Sequence, residues 1–224
     1  MEKNKMKYNK NKKYFDKDSK VSRPYLWYAI GFLFFLMGLV VHPIILWLIA
    51  LVFINFGVNA QIKTQVLDKA AKAQLKKVHS QALIKLGINN EAVKEIPPIV
   101  FDGYIYNDAM VKKGIDGKYR SDKYKALVFF FSSNEIYCYS YEFSLTSDVQ
   151  NETTYVFQYR DIESVSLQTE HASTTIEKNT SFDYTVFKLA AKDGKSLACA
   201  VNIAKKAQNS VKNMLAIIEQ KKHV

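Results

Sequence analysis

The side chains that most often do chemistry are few in this chain and lie far apart. Cys138 and Cys199 sit inside apolar, strand-like runs and read as buried, reduced thiols. His42, His79, His171 and His223 share no metal-ligand spacing. The carboxylates are spread over turns and strand edges without a pair suited to acid–base work. No GxxxxGK[ST], GxGxxG, HExxH or GxSxG motif occurs. The sequence therefore predicts no enzyme activity, no cofactor and no metal. What it concentrates is positive charge: Lys63, Lys69, Lys72, Lys76 and Lys77 fall within one short stretch, and ammonium groups at that density suit an anionic membrane surface.

The formal net charge of +11 is unevenly distributed along the 224 residues. Residues 1–23 carry nine basic and three acidic side chains, a balance of +6. Residues 63–95 carry seven and three, a balance of +4, whereas residues 96–224 are nearly neutral at +1. Between the two basic flanks, residues 24–62 hold no Lys, Arg, Asp or Glu. An apolar run of ~18 residues already reads as a membrane span, and this one is about twice that length, with Pro43 near its middle. The expectation is a two-helix transmembrane hairpin, about Tyr25–Val41 and Pro43–Val58, turning at His42-Pro43. Basic flanks stay on the cytoplasmic side, so both termini are expected in the cytoplasm of a multi-pass protein of the cell membrane.

The remaining elements follow from composition and period. Residues 1–23 are Lys/Asn-rich without apolar periodicity and read as a basic disordered tail. Three arginines in the whole chain argue against reading of nucleic-acid bases. In residues 60–98, Leu67, Ala71, Leu75, Val78, Ala82 and Leu86 share one helical face, and Gly87 provides a stop. That amphipathic basic helix could lie on the membrane surface, pair with itself, or pack on the domain that follows. Asn89–Glu95 suggests a further short helical turn, and Pro97-Pro98 marks entry to a new domain. From Ile99 the period becomes two, predicting seven strands: Ile99–Tyr106, Tyr124–Phe131, Glu135–Leu145, Thr153–Tyr159, Ile162–Thr169, Phe182–Ala191 and Lys195–Val201. Asn202 is the expected cap of a helix over Ile203–Lys221 with Ala204, Ala207, Val211, Leu215 and Ile218 inward.

Seven antiparallel strands followed by one amphipathic helix is the order of a pleckstrin-homology-like (PH-like) domain. Residues 99–221 resemble the bacterial PH-like group, through the run Ser133-Asn134-Glu135-Ile136-Tyr137-Cys138-Tyr139 and the junction Phe157-Gln158-Tyr159-Arg160-Asp161-Ile162-Glu163-Ser164-Val165. Asp161 is expected to set the corner between strands by bonding nearby amides. The resemblance implies a binding module for lipid headgroups, peptides or copies of itself. It also implies a possible anionic-ligand loop, here Lys112, Lys113, Lys118, Arg120, Lys123 and Lys125, offset by Asp108, Asp116 and Asp122.

The expected fold class is thus a membrane-anchored α+β protein: a transmembrane helical hairpin at 24–59, an amphipathic linker at 60–98, and at 99–224 a seven-stranded antiparallel PH-like β-sandwich or barrel capped by a C-terminal helix. The expected function is that of a binding or scaffold protein presenting a cytoplasmic PH-like domain to lipid headgroups or protein partners. The alternative is an accessory subunit of a multi-protein membrane complex for secretion, transfer or transport. The expected partners are the lipid bilayer itself, anionic lipids, and proteins or further copies of the chain.

Overall fold

The computed structural model describes residues 2–15, 24–38, 43–89, 93, 96–114, 116–174, 176 and 180–222. It contains helices α1 (Glu2–Phe15), α2 (Pro24–Gly38), α3 (Pro43–Leu75), α4 (Val78–Leu86) and α5 (Ala204–Lys222). The strands are β1 (Ile99–Ile105), β2 (Val111–Lys113), β3 (Tyr119–Ser121), β4 (Lys123–Phe131), β5 (Glu135–Ser144), β6 (Gln150–Gln158), β7 (Ile162–Ser173), β8 (Ser181–Ala191) and β9 (Ser196–Ala200). They form three antiparallel sheets, ordered β1-β4-β5-β6, β2-β3 and β7-β8-β9.

Two expectations are corrected here. The transmembrane hairpin, and with it the placement as a multi-pass membrane protein with both termini cytoplasmic, does not hold: among the described residues no helix is long and apolar enough to cross a membrane. Helix α2 has 15 residues, about 22 Å at ~1.5 Å per residue, against the ~20 residues that a ~30 Å core requires. Helix α3 is long enough at 33 residues, but its unbroken apolar stretch ends at Asn55, and Asn59, Gln61 and Lys63 follow in sequence. The fold class is therefore α+β with three antiparallel sheets, without the membrane-anchoring hairpin. The turn at His42 and most of Asn89–Glu95 lie outside the described residues.

Helices α2 and α3 nevertheless pack closely side by side. Trp27 stacks on Phe53 at 5.7 Å, Phe34 on Phe53 at 5.5 Å and Phe35 on Trp47 at 5.8 Å between ring centroids. Gly31 permits the approach, since a Cβ there would lie 3.1 Å from the Ala50 carbonyl oxygen. The outward faces stay bare: Phe32, Leu33, Ile44, Ile45, Leu48 and Leu51 are 58–75% exposed.

The second correction concerns the amino terminus, where a disordered tail is expected and a helix is found. One side of α1 is buried: Phe15 packs with Leu67 and Ala71 of α3, Val78 and Ala82 of α4, and Tyr104, Tyr124, Phe130 and Phe143 of the four-stranded sheet. Asn11 is 1% exposed and donates its amide to the Leu145 carbonyl at 2.6 Å. Periodicity could not reveal this helix, because its lysines outnumber its apolar residues.

The apolar stripe expected over residues 60–86 is distributed over two helices. α3 runs on to Leu75, two turn residues follow, and α4 ends at Gly87 with φ +65°. Its buried members face the sheet in the same cluster as Phe15. On the sheet's opposite side a second cluster joins Phe101, Leu127, Phe129, Cys138 and Phe157 to Phe187, Leu189 and Leu197 of the three-stranded sheet and to Ala207, Val211, Met214 and Ile218 of α5. Met214 is fully buried and Leu215 is 43% exposed, so the inward row of α5 is Ala207, Val211, Met214 and Ile218, with Met214 in the place expected of Leu215. The two sheets close on one another where β1 crosses β9. A Cβ on Gly103 would fall 2.1 Å from the Ala200 carbonyl oxygen.

Candidate functional site

The surface with the most converging side chains is a cleft of about 620 Å³ between the C-terminal part of α3, the end of β1, the β2–β3 ribbon, the start of β8 and the first turn of α5. Its position is set by one ion pair network. Arg120, on β3, is 1% exposed. Its Nε and Nη2 donate to both carboxylate oxygens of Asp68 on α3, at 2.9 and 2.7 Å. Its Nη1 and Nη2 donate to both oxygens of Asp116, each at 2.8 Å. The Tyr104 hydroxyl, from β1, adds a bond to Asp68 at 2.6 Å. One guanidinium thus clamps a helix and a loop onto a sheet through two fork-to-fork pairs, the geometry for which Arg is suited and Lys is not.

The electrostatics are those of a satisfied structural network. Burial opposes the charge on Arg120, but the bonds to Asp116 and Asp68 outweigh it and hold the group above its ordinary value. Burial likewise pushes against ionised Asp68, and the bonds from Arg120 and Tyr104 overcome it, leaving the carboxyl below its ordinary value. Asp116 is held low chiefly by its bond from Arg120.

Beside this clamp the cleft wall is aromatic. Tyr119 stacks on Phe182 at 3.7 Å, nearly parallel, and Lys113 lies over the Tyr119 ring at 5.2 Å. Tyr106 meets Phe182 edge-on at 5.0 Å and Tyr184 at 4.7 Å. The hydroxyls are engaged at the back: Tyr106 donates to the Tyr119 carbonyl at 3.3 Å and Tyr184 to Glu170 at 2.9 Å. Deeper in, Tyr124 donates to Asp102 at 2.5 Å and accepts from Asn202 at 2.6 Å. Burial pushes the phenols up, Tyr106 above its ordinary value and Tyr184, with Glu170 adding to the effect, to about 12. Ring faces and edges therefore meet a ligand as neutral surfaces. Lys72, Lys118, Lys206 and Arg120 stand on the lining against Asp68, Asp102 and Asp183, with Asp68 paired to Arg120. No family model matches the chain, and it matches neither a curated protein nor a solved structure.

The six basic residues expected to form an anionic-ligand loop are dispersed. Arg120 is inside the clamp. Lys112 is 3% exposed and donates to the Tyr14 carbonyl at 3.0 Å. Lys125 pairs with Glu142 at 2.7 Å, and Lys123 reaches the Asp108 carbonyl at 2.5 Å. Lys113 and Lys118 are exposed, and of the six only Lys118 and the clamped Arg120 line the cleft. Of the helical lysines, Lys69, Lys72, Lys76 and Lys77 are exposed, and Lys72 reaches the cleft. Lys63 lies in α3, its side chain outside the described residues. At the Asp161 corner, the bond is made by the main chain, whose carbonyl accepts from Lys192 N–H at 2.9 Å. Asn202 turns its side chain to Tyr124, where a helix cap was expected. Among the described residues no cluster of three or more His, Cys, Asp or Glu could hold a metal ion.

The residues that the sequence reading passed over are Asp68, Tyr104, Tyr106, Tyr119, Phe182, Tyr184 and Lys206. Two signals were present. Tyr104-x-Tyr106 and Phe182-x-Tyr184 place pairs of rings on one face of their strands, and Asp68 is the only acid in the whole of α3.

Proposed function

We propose that this protein is a binding and scaffold protein, with the β-structure acting as a recognition module of the PH-like kind and an extended segment of a protein partner as its ligand. The observation that carries the reading is the aromatic cleft. Large, rigid ring surfaces with a few polar groups at the rim are the composition of peptide-binding grooves. The four-stranded and three-stranded sheets with α5 against both support the resemblance, and the two-stranded β2–β3 ribbon is an addition to it. The near balance of lysines and carboxylates along the lining favours a protein segment over a polyanionic headgroup.

The test is a selection of random dodecapeptides displayed on phage against the immobilised full chain, followed by fluorescence anisotropy with the enriched peptide. Enrichment is expected, with affinity lost about tenfold or more on Tyr106→Ala plus Tyr184→Ala and little change in far-ultraviolet circular dichroism. No enrichment, or equal binding by the double variant, would overturn it. Binding of phosphatidylserine vesicles that is lost in the same variant would replace the peptide by a headgroup.

A second reading, an accessory subunit of a larger assembly, is favoured by the bare apolar faces of α2 and α3, since contiguous exposed apolar surface marks an interaction site. Mass in mild detergent separates the two: a stable hetero-complex recovered from the native source supports the subunit, and a single species supports the self-contained module.

A further inference from the structure

The four-stranded sheet ends in an edge that carries none of the usual protections. β6 is its last strand, paired to β5 without a bulge from Phe143↔Gln150 to Glu135↔Gln158. The Ser144 N–H bonds the Val149 carbonyl at 2.9 Å. That bond fixes the phase of the ladder: Asn151, Thr153, Tyr155 and Phe157 bond β5, and Gln150, Glu152, Thr154, Val156 and Gln158 turn their N–H and C=O groups outward. Among the described residues no backbone bond meets that outer row. Natural edges are blunted by Lys, Pro, bulges or short strands. β6 has nine residues, no Pro, no Gly and no Lys. Its single charge, Glu152, is paired with Lys85 of α4 at 2.8 Å. The corresponding edge of the other sheet, β7, is interrupted by an irregularity between Ile162 and Ser164 and carries Glu163, Glu170 and His171. β1 and β9 cover one another.

We propose that β6 is a self-association edge, pairing antiparallel with β6 of a second copy about a two-fold axis at Thr154. In that register each outward residue meets another outward residue: Thr154 faces Thr154, Glu152 faces Val156, and Gln150 faces Gln158. No charge opposes a like charge, and two threonines meet where such pairs are favourable. A two-fold through Glu152 would set two carboxylates against each other, which selects against that register. The joined sheet would run β1-β4-β5-β6 and then the same strands in reverse. It would also bring together two copies of an edge where Val156 is 48% exposed and where α4, tethered through Lys85, leaves neighbouring Ile84 78% exposed. A two-strand junction is a small interface, so association depends on concentration.

The test is sedimentation velocity of the full chain over a concentration series in a mild non-ionic detergent, which occupies the apolar faces of α2 and α3. The wild type should move from monomer to dimer, with hydrogen exchange at the Glu152, Thr154 and Val156 amides slowing as it does so. Thr154→Lys and Thr154→Glu should each weaken association about tenfold, because like charges meet at the axis, and mixing the two variants should restore it. Both changes are at an exposed position and leave the β5–β6 ladder intact. A chain that stays monomeric with unprotected edge amides at every concentration would overturn the proposal. So would variants that associate like the wild type, or a mixture no tighter than its components.

Discussion

At the scale of single residues, Arg120 decides more than any other side chain. It is buried and neutralised by two carboxylates from different elements. Removing one partner of such a pair leaves uncompensated charge, which costs about 3–5 kcal/mol when fully buried. Asp68 and Asp116 are 37% and 40% exposed in their side chains, so solvent softens the loss, and Arg120→Ala should cost about 2–3 kcal/mol. Arg120→Lys should recover less than half of this, because an ammonium cannot hold two forks at once. Both follow from denaturant titration. The network also fixes the acid limit of stability. Both carboxyls are held below their ordinary 3.8 in the folded chain. A depressed carboxyl contributes its stability above the unfolded pKa and loses it as pH falls through the folded one. The wild type should therefore lose stability steeply below about pH 4, and the Arg120→Ala variant, lacking the cause of the depression, should show a shallower slope there. Equal slopes would show that the clamp contributes nothing in acid.

At the scale of elements, legibility in the sequence tracked how locally each element is specified. The boundaries of β1, β4, β5, β8 and β9 follow from period-two alternation and from turn residues such as Asp193-Gly194, where Gly194 takes φ +84°. β2 and β3 fall in a stretch that reads as polar loop, because three-residue strands carry too few residues to show a period. The membrane reading of residues 24–62 went wrong on an element length: absence of charge measures apolarity, whereas crossing a bilayer depends on how many apolar residues one helix strings together. The surroundings of the basic loop depend on contacts that spacing does not show. Spacing shows that Arg120 and Asp116 are neighbours, but only the tertiary structure brings Asp68, 52 residues away, to the same guanidinium. The site was legible in part, through alternating aromatic residues, while its walls come from five distant segments. One close approach between elements was silent in sequence. Gly103 sits where β1 crosses β9, and its position admits no Cβ. Gly103→Ala should push β9 away from β1 and lower stability by about 1–3 kcal/mol, which is about 2–4 °C in Tm for each kcal/mol. A thermal melt within a degree of the wild type would mean that the two sheets slide past each other without strain.

At the scale of the whole molecule, one shared core makes the amino-terminal helix part of the β-structure's stability. The cluster around Tyr104 and Phe130 draws residues from α1, α3, α4 and three strands, so the lysine-rich first segment, the lower half of α3 and the sheet have no separate cores. Phe15 is the apolar anchor of α1, 5% exposed and in edge contact with Tyr14 at 5.1 Å. If α1 were an appendage, truncating Phe15 would cost a few tenths of a kcal/mol and leave the melting of the sheet unchanged. Because it fills the same core as Leu67 and Tyr124, Phe15→Ala should cost about 3 kcal/mol. The loss should appear in every probe at once: helical ellipticity, the near-ultraviolet tyrosine signal and exchange of β4 and β5 amides. Coincident, down-shifted transitions identify a single cooperative unit. Early loss of helix with an unmoved β-sheet transition would divide the molecule into an independent module and a docked helix.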